Sequence, residues 1–170
     1  MKFTRLAAAV ALSMTAITSF ADTGGGALDL SSGSTFFGRT PAGAFTDTYT
    51  FTLTGSSFLI NSSATTAAIG TQDLNFTSLM LQTAAGATLD TFVADSGSTN
   101  ANESYRLPIT TLAPGSYKLV FSGINSPAAA SYSSNVAIAP VAAIPEPETY
   151  ALMLAGLGAI GFMARRRRND

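Results

Sequence analysis

Phe45-Thr46-Asp47-Thr48-Tyr49-Thr50-Phe51-Thr52-Leu53-Thr54 alternates without a break. Phe45, Asp47, Tyr49, Phe51 and Leu53 fall on one side of an extended chain and the threonines on the other, which is the period of a strand with one buried face. Threonine suits the wet side because its branched Cβ fits a pleated backbone. Similar runs lie at Phe58–Asn61, Phe76–Gln82, Leu89–Ala94, Tyr105–Thr111, Tyr117–Ser122 and Tyr132–Ile138. Turn-forming residues separate them at Gly55-Ser56, Ala85-Gly86, Asp95–Asn102, Pro114-Gly115 and Asn125–Pro127. About seven strands with short connections predict an all-β fold, a single β-sandwich of jelly-roll-like or immunoglobulin-like course, its core at residues 45–138.

Pro114-Gly115 before the alternating Ser116–Phe121 predicts a type II turn, in which proline fixes the first angle and glycine accepts a positive one. Pro108 has no amide hydrogen to give a neighbour, so Tyr105–Thr111 is expected at a sheet edge. Residues 22–44 read as a lead-in or irregular first strands, since the stretch from Asp22 to Ser34 is small and polar, with little to bury. Residues 139–144 read as a linker.

Asp47 is the odd member of its row, a carboxylate among aromatics on the face to be buried. It must be satisfied by backbone donors, by a cation such as Arg39 or Arg106, or by a metal such as Ca²⁺. Asp95-Ser96-Gly97-Ser98-Thr99-Asn100-Ala101-Asn102-Glu103 also gathers oxygen ligands, with Asp95 and Asn100 beside Asp47 as the positions a Ca²⁺ reading would use. Its spacing is not that of a helix–loop–helix calcium site, and turn chemistry accounts for its composition, so no metal ligand is assigned. The Asn-x-Ser/Thr triplets at Asn61, Asn75 and Asn102 are the chance yield of a Ser/Thr-rich segment.

The two ends have a different character. Lys2 and Arg5 precede an uncharged stretch from Leu6 to Ala21, and Ser19-Phe20-Ala21 offers small residues where a signal peptidase cuts, so 1–21 reads as a signal peptide cleaved after Ala21. At the other end Pro145-Glu146-Pro147-Glu148-Thr149-Tyr150 leads into an apolar run, Ala151–Ala164, and then Arg165-Arg166-Arg167-Arg168. The prolines stiffen an extended approach, the run predicts a transmembrane helix at about 149–164, and the arginines hold the end in the cytoplasm. At about 1.5 Å per residue the uncharged stretch from Thr149 to Ala164 extends roughly 24 Å, less than the roughly 30 Å hydrocarbon core, so a single span depends on arginines reaching the interface. Gly156-Leu157-Gly158-Ala159-Ile160-Gly161 imitates a dinucleotide fingerprint without a preceding strand, and reads as a thin helix face.

The order Pro145-Glu146-Pro147, apolar helix, arginine cluster resembles the PEP-CTERM sorting domain of Gram-negative bacteria, over residues 145–168. The resemblance implies that an exosortase, a membrane-embedded cysteine transpeptidase, recognises the tail and releases or transfers the protein at an exopolysaccharide-rich surface. Phe45-Thr46-Asp47-Thr48-Tyr49 is similar to the FxDxF motif of one group of such proteins, with Tyr49 replacing the last phenylalanine.

Composition excludes much else. Between the two ends the chain carries three basic and seven acidic residues, a net charge of −4, which disfavours nucleic acid. The sequence has no histidine and no cysteine, which removes the usual general base, the thiol nucleophile, disulfides and most zinc sites. Neither a Gly-x-Ser-x-Gly elbow nor a phosphate-binding Gly-Lys-Ser/Thr loop is present. No catalytic residue and no cofactor is therefore assigned. The expected function is that of a non-catalytic exported surface or matrix protein of a biofilm or exopolysaccharide, with signal peptidase, exosortase and the membrane as partners. The rival is a carbohydrate-binding module, Ca²⁺-dependent in one form, using Tyr105, Tyr117 or Tyr132 as a sugar platform if any faces solvent.

Overall fold

The computed structural model describes residues 22–68, 70–126, 129–142 and 147–167. The signal peptide, its Ala21 cleavage site, Pro145, Glu146, Arg168 and Pro127 lie outside the described residues. Ten strands and one helix follow in order: β1 (Asp22–Ala27), β2 (Ser34–Arg39), β3 (Gly43–Leu53), β4 (Phe58–Thr66), β5 (Asp73–Thr83), β6 (Thr88–Thr91), β7 (Val93–Ala94), β8 (Ser104–Leu112), β9 (Gly115–Ser126), β10 (Tyr132–Pro140) and α1 (Pro147–Arg167).

The strands form two sheets, ordered β1-β3-β9-β5-β6 and β2-β10-β4-β8-β7. From β2 onward the chain passes between the sheets in the manner of a jelly roll, and every pairing there is antiparallel. Only β1 departs from this pattern, lying parallel to β3 from Asp22 opposite Phe45 to Ala27 opposite Thr50.

β3 buries Phe45, Asp47, Tyr49, Phe51 and Leu53 and turns its threonines outward, as the alternation requires. Leu119 and Phe121 on β9 and Leu74, Phe76, Leu79 and Leu81 on β5 continue this face within the same sheet, and Ile60, Leu107 and Val136 close the core from the second sheet. Phe121 is its centre, with ring centroids between 5.3 Å (Phe92) and 6.1 Å (Tyr49) away, mostly edge-on or tilted. Each such ring buries a large apolar area, and this burial is the main force holding the sheets together.

Several local expectations are corrected. Residues 22–44, expected as a lead-in or irregular first strands, hold β1 and β2; glycine and small polar residues give no periodicity, so backbone pairing alone marks β1. The run Leu89–Ala94 breaks at Phe92, whose buried ring marks the crossing from β6 in one sheet to β7 in the other. β8 is next to the edge rather than at it. The outer strand β7 covers only Tyr105 and Arg106, so Pro108 still faces no acceptor on that side. On the other side the ladder to β4 shifts register between Ile60 and Ser62, a bulge in which Pro108 and Ile109 oppose the single residue Asn61.

Gly115 is not a turn glycine. It opens β9 opposite Leu53 and is not among the glycines with positive φ, so the type II turn is absent. The connection is held by Tyr117, whose hydroxyl donates to the Ala113 carbonyl at 2.8 Å. Asn125 belongs to β9 rather than to a turn. The tail is helical, but no helix among the described residues is long and apolar enough to cross a membrane. The run Ala151–Ala164 supplies about 21 Å at ~1.5 Å per residue, and polar residues at 148–150 and arginines from 165 end it.

Candidate functional site

Asp47 sits midway along β3 with its carboxylate wholly buried, at 0% exposure. β2 ends on Arg39, and the guanidinium folds inward over β3 to meet it. Arg39 Nε donates to Asp47 Oδ2 at 2.8 Å and Nη2 to Oδ1 at 2.5 Å, a side-on pair. Tyr132, at the start of β10, donates a short hydrogen bond to Asp47 Oδ2. With its proton committed there, Tyr132 receives one from Tyr49 at 2.7 Å. Arg39 also donates from Nη1 to Asp22 Oδ2 at 2.7 Å, and the Ala42 amide reaches the same oxygen at 2.8 Å.

The electrostatics follow from this arrangement. The Asp47 hydrogen bond, opposed by burial, holds Arg39 above the usual arginine range. Burial first, then the bond to Asp47, pushes the Tyr132 phenol well up, and burial does the same to Tyr49. The Ala42 amide, then Arg39, pulls Asp22 below the ordinary carboxylate range. Both phenols are thereby held toward their protonated, donating form, and the cluster is a network of donors and acceptors.

Of the cations open to Asp47, Arg39 takes it. Arg106 lies instead beside Asp95, Nε to Oδ1 at 3.3 Å. Both oxygens of Asp47 accept donors from within the fold, Arg39 Nε and the Tyr132 hydroxyl on Oδ2 and Arg39 Nη2 on Oδ1. Phe45 stacks on Tyr132 at 5.9 Å and Tyr49 lies 4.2 Å from Phe37, so the aromatic members of the motif wall the carboxylate off from water.

Gly24 and Gly25 explain why the segment before β2 is so small. A Cβ at residue 24 would come within 2.2 Å of Arg39 Nε and 2.7 Å of Asp47 Oδ1. At residue 25 it would meet the Thr48 carbonyl oxygen at 1.9 Å, and φ there is +122°. β1 can roof the ion pair only without side chains at these places.

The stretch Asp95–Glu103 separates into a turn and an inward residue. Asp95 accepts from Ser104 Oγ at 2.7 Å and Asn100 donates to Asp73 Oδ2 at 3.1 Å, so neither joins Asp47. Glu103 is buried and accepts the Phe76 amide at 2.8 Å. Burial, with Asp73 nearby adding to it, raises Glu103 above the ordinary carboxylate range. Asp73 Oδ1 is buried without a hydrogen-bond donor among the described residues. No group of three acidic, histidine or cysteine residues gathers among them.

Two buried polar residues escaped the sequence reading because both lie in or beside stretches rich in turn formers. Asn125 donates to the carbonyls of Pro41 and Ala130, each at 2.7 Å, and receives the Ala130 amide at 3.3 Å, tying two loops to β9. Glu103 is the other. The tyrosines considered for sugar stacking are engaged: Tyr132 is buried, and Tyr105 and Tyr117 pack partly buried against the core. An open cleft of about 730 Å³ lies at one end, lined by Ala27–Gly33, Thr50–Thr54, Phe58, Ile138 and Pro140.

The tail helix α1 begins at Pro147 and exposes its apolar side chains, among them Leu152, Leu154, Ile160 and Phe162, up to the arginines at 165 and 166. Residues 143–168 match the family model of the PEP-CTERM protein-sorting motif. This motif supports an exported, membrane-anchored precursor handled by an exosortase. No curated protein matches the chain. Among solved structures it is similar to the pre-peptidase C-terminal domain of collagenase from Bacillus anthracis, at 16% identity and a TM-score of 0.44, over 68% of this chain and 95% of that one. It is also similar to PliG from Aeromonas hydrophila, a periplasmic inhibitor of g-type lysozyme, at 11% identity and a TM-score of 0.37, over 71% of this chain and all of that one.

Proposed function

We propose that the chain is a non-catalytic surface or matrix protein. Its sandwich is carried across the inner membrane by a signal peptide that signal peptidase removes after Ala21. An exosortase-type transpeptidase then delivers it into extracellular polysaccharide or a biofilm matrix. The observation that carries this reading is the sorting motif over residues 143–168, which ends in arginines. An apolar run this short bridges the bilayer only if the membrane thins locally and the arginine side chains reach up to the headgroups. Such a strained anchor suits a precursor that is held briefly.

The sandwich itself is proposed as passive cargo. Support comes from the absence of histidine and cysteine and from an Asp47 whose oxygens are all occupied within the fold. Likeness of Phe45, Asp47 and Tyr49 to the FxDxF motif belongs to the same proposal, with the motif acting as the fold's inner clasp.

Mass spectrometry of protein recovered from the cell surface tests the reading. Peptides of the sandwich are expected and none from Gly156 to Asp170. An intact tail on the surface form would refute processing.

A further inference from the structure

β1 differs from the other long strands in what holds it. None of its side chains belongs to the hydrophobic core. Its hold on the sheet is the parallel backbone ladder to β3, together with the Asp22 carboxylate, which takes Arg39 Nη1 and the Ala42 amide. The β1 of another copy could make each of these contacts equally well.

The place β1 occupies is also selective. The predicted collisions at Gly24 and Gly25 mean that a strand entering beside β3 must carry glycine at two successive positions, with an acid two residues earlier to meet Arg39. Successive glycines occur in this sequence at 24–26 and nowhere else. The strand that fits the slot is therefore β1 itself, from the same chain or from a copy. As the first of the described strands, β1 can withdraw without threading any other of them. Its connection to β2, Leu28–Gly33, runs along the open cleft of about 730 Å³, with Leu30 as its buried pin.

We propose that β1 of one copy docks parallel to β3 of a second copy, so that the protein joins to itself by strand exchange. The partner is a second copy of this chain. A strand passed in one direction leaves each copy with one strand to give and one slot to fill, which permits open chains as well as closed pairs. This holds whether or not the tail is processed.

Cysteine chemistry gives a directional test, because the sequence has no cysteine of its own. Thr23 and Thr46 are register partners across β1 and β3. The full chain carrying Thr23→Cys is co-expressed with the full chain carrying Thr46→Cys and treated with a short bismaleimide. A Thr23→Cys chain paired with a Thr88→Cys chain, whose cysteine lies on the opposite edge strand β6, measures random collision. The expected result is a covalent dimer of the first pair at several times the yield of the control. Gly24→Val should abolish it when placed in the Thr23→Cys chain, whose strand then cannot enter. The same change in the Thr46→Cys chain should leave it in place. A yield equal to the control, or an equal loss from Gly24→Val in either chain, would overturn the proposal.

Discussion

Arg39 and Asp47 meet side-on, with Nε 2.8 Å from Oδ2 and Nη2 2.5 Å from Oδ1, the acid wholly inside the sandwich and the base reaching it from the edge strand β2. The pair links the two sheets, since β2 and β3 belong to different ones. Its value lies in completeness, because a buried charge with a missing partner is far more costly than no charge at all.

Asp47→Ala should therefore destabilise strongly, by about 3–5 kcal/mol, because it leaves a guanidinium and the Tyr132 hydroxyl without their acceptor. Arg39→Ala should cost a similar amount, and the double variant less than the sum of the two. Urea denaturation of the three variants checks this. Additive losses would mean that the two residues stabilise the fold independently.

Tyr49→Phe keeps the ring and removes one hydroxyl. Tyr132 keeps its bond to Asp47, so the loss should be that of a single hydrogen bond, about 0.5–1.5 kcal/mol. Tyr132→Phe removes a donor from the carboxylate and should cost more. Melting temperatures in the reverse order would contradict the direction of the chain Tyr49 to Tyr132 to Asp47.

Glu103 makes a pH prediction with a definite sign. Burial raises its folded pKa above the ordinary glutamate value of 4.5, so the native state binds more protons than the unfolded one as the group titrates. Its contribution is full below the unfolded pKa and is lost as pH rises through the folded one. Glu103→Gln keeps an acceptor for the Phe76 amide and removes the titration. The variant should match the parent at about pH 4 and be more stable at about pH 7, with the gap opening between them. Parallel stability curves over that range would mean that Glu103 is not titrating from a buried position.

Replacing Pro145, Glu146 and Pro147 together with alanine should leave the precursor uncut and its tail attached, while the sandwich folds as before. Immunoblotting of membrane and surface fractions with an epitope in the sandwich reads the outcome. Normal release of the triple variant would place recognition elsewhere in the tail.

How much the sequence disclosed depended on which interaction defines each element. β3 was legible because one face is buried, and burial writes itself into the chain at a period of two. The tail was legible because a sorting motif is linear. β1 was not, because a strand held by its backbone and roofing an arginine shows only as small residues. Asn125 and Glu103 were hidden for a different reason: asparagine is a turn former and Glu103 directly follows a turn-rich stretch, and nothing local tells those uses from a buried one. Sheet order depended on contacts between distant parts of the chain, which no local pattern records.

The tail leaves the sandwich from the end of β10, and β10 is hydrogen bonded on both sides, to β2 and to β4. Any tension arriving through the tether enters the fold at an interior strand, laddered to β4 along its whole length and to β2 from Tyr132 to Ala137. To pull it out, the load must break the ladder from Tyr132–Thr66 to Pro140–Phe58 together with the bonds to β2. A domain fastened to a moving surface by this end is held by the strand best placed to resist being drawn away.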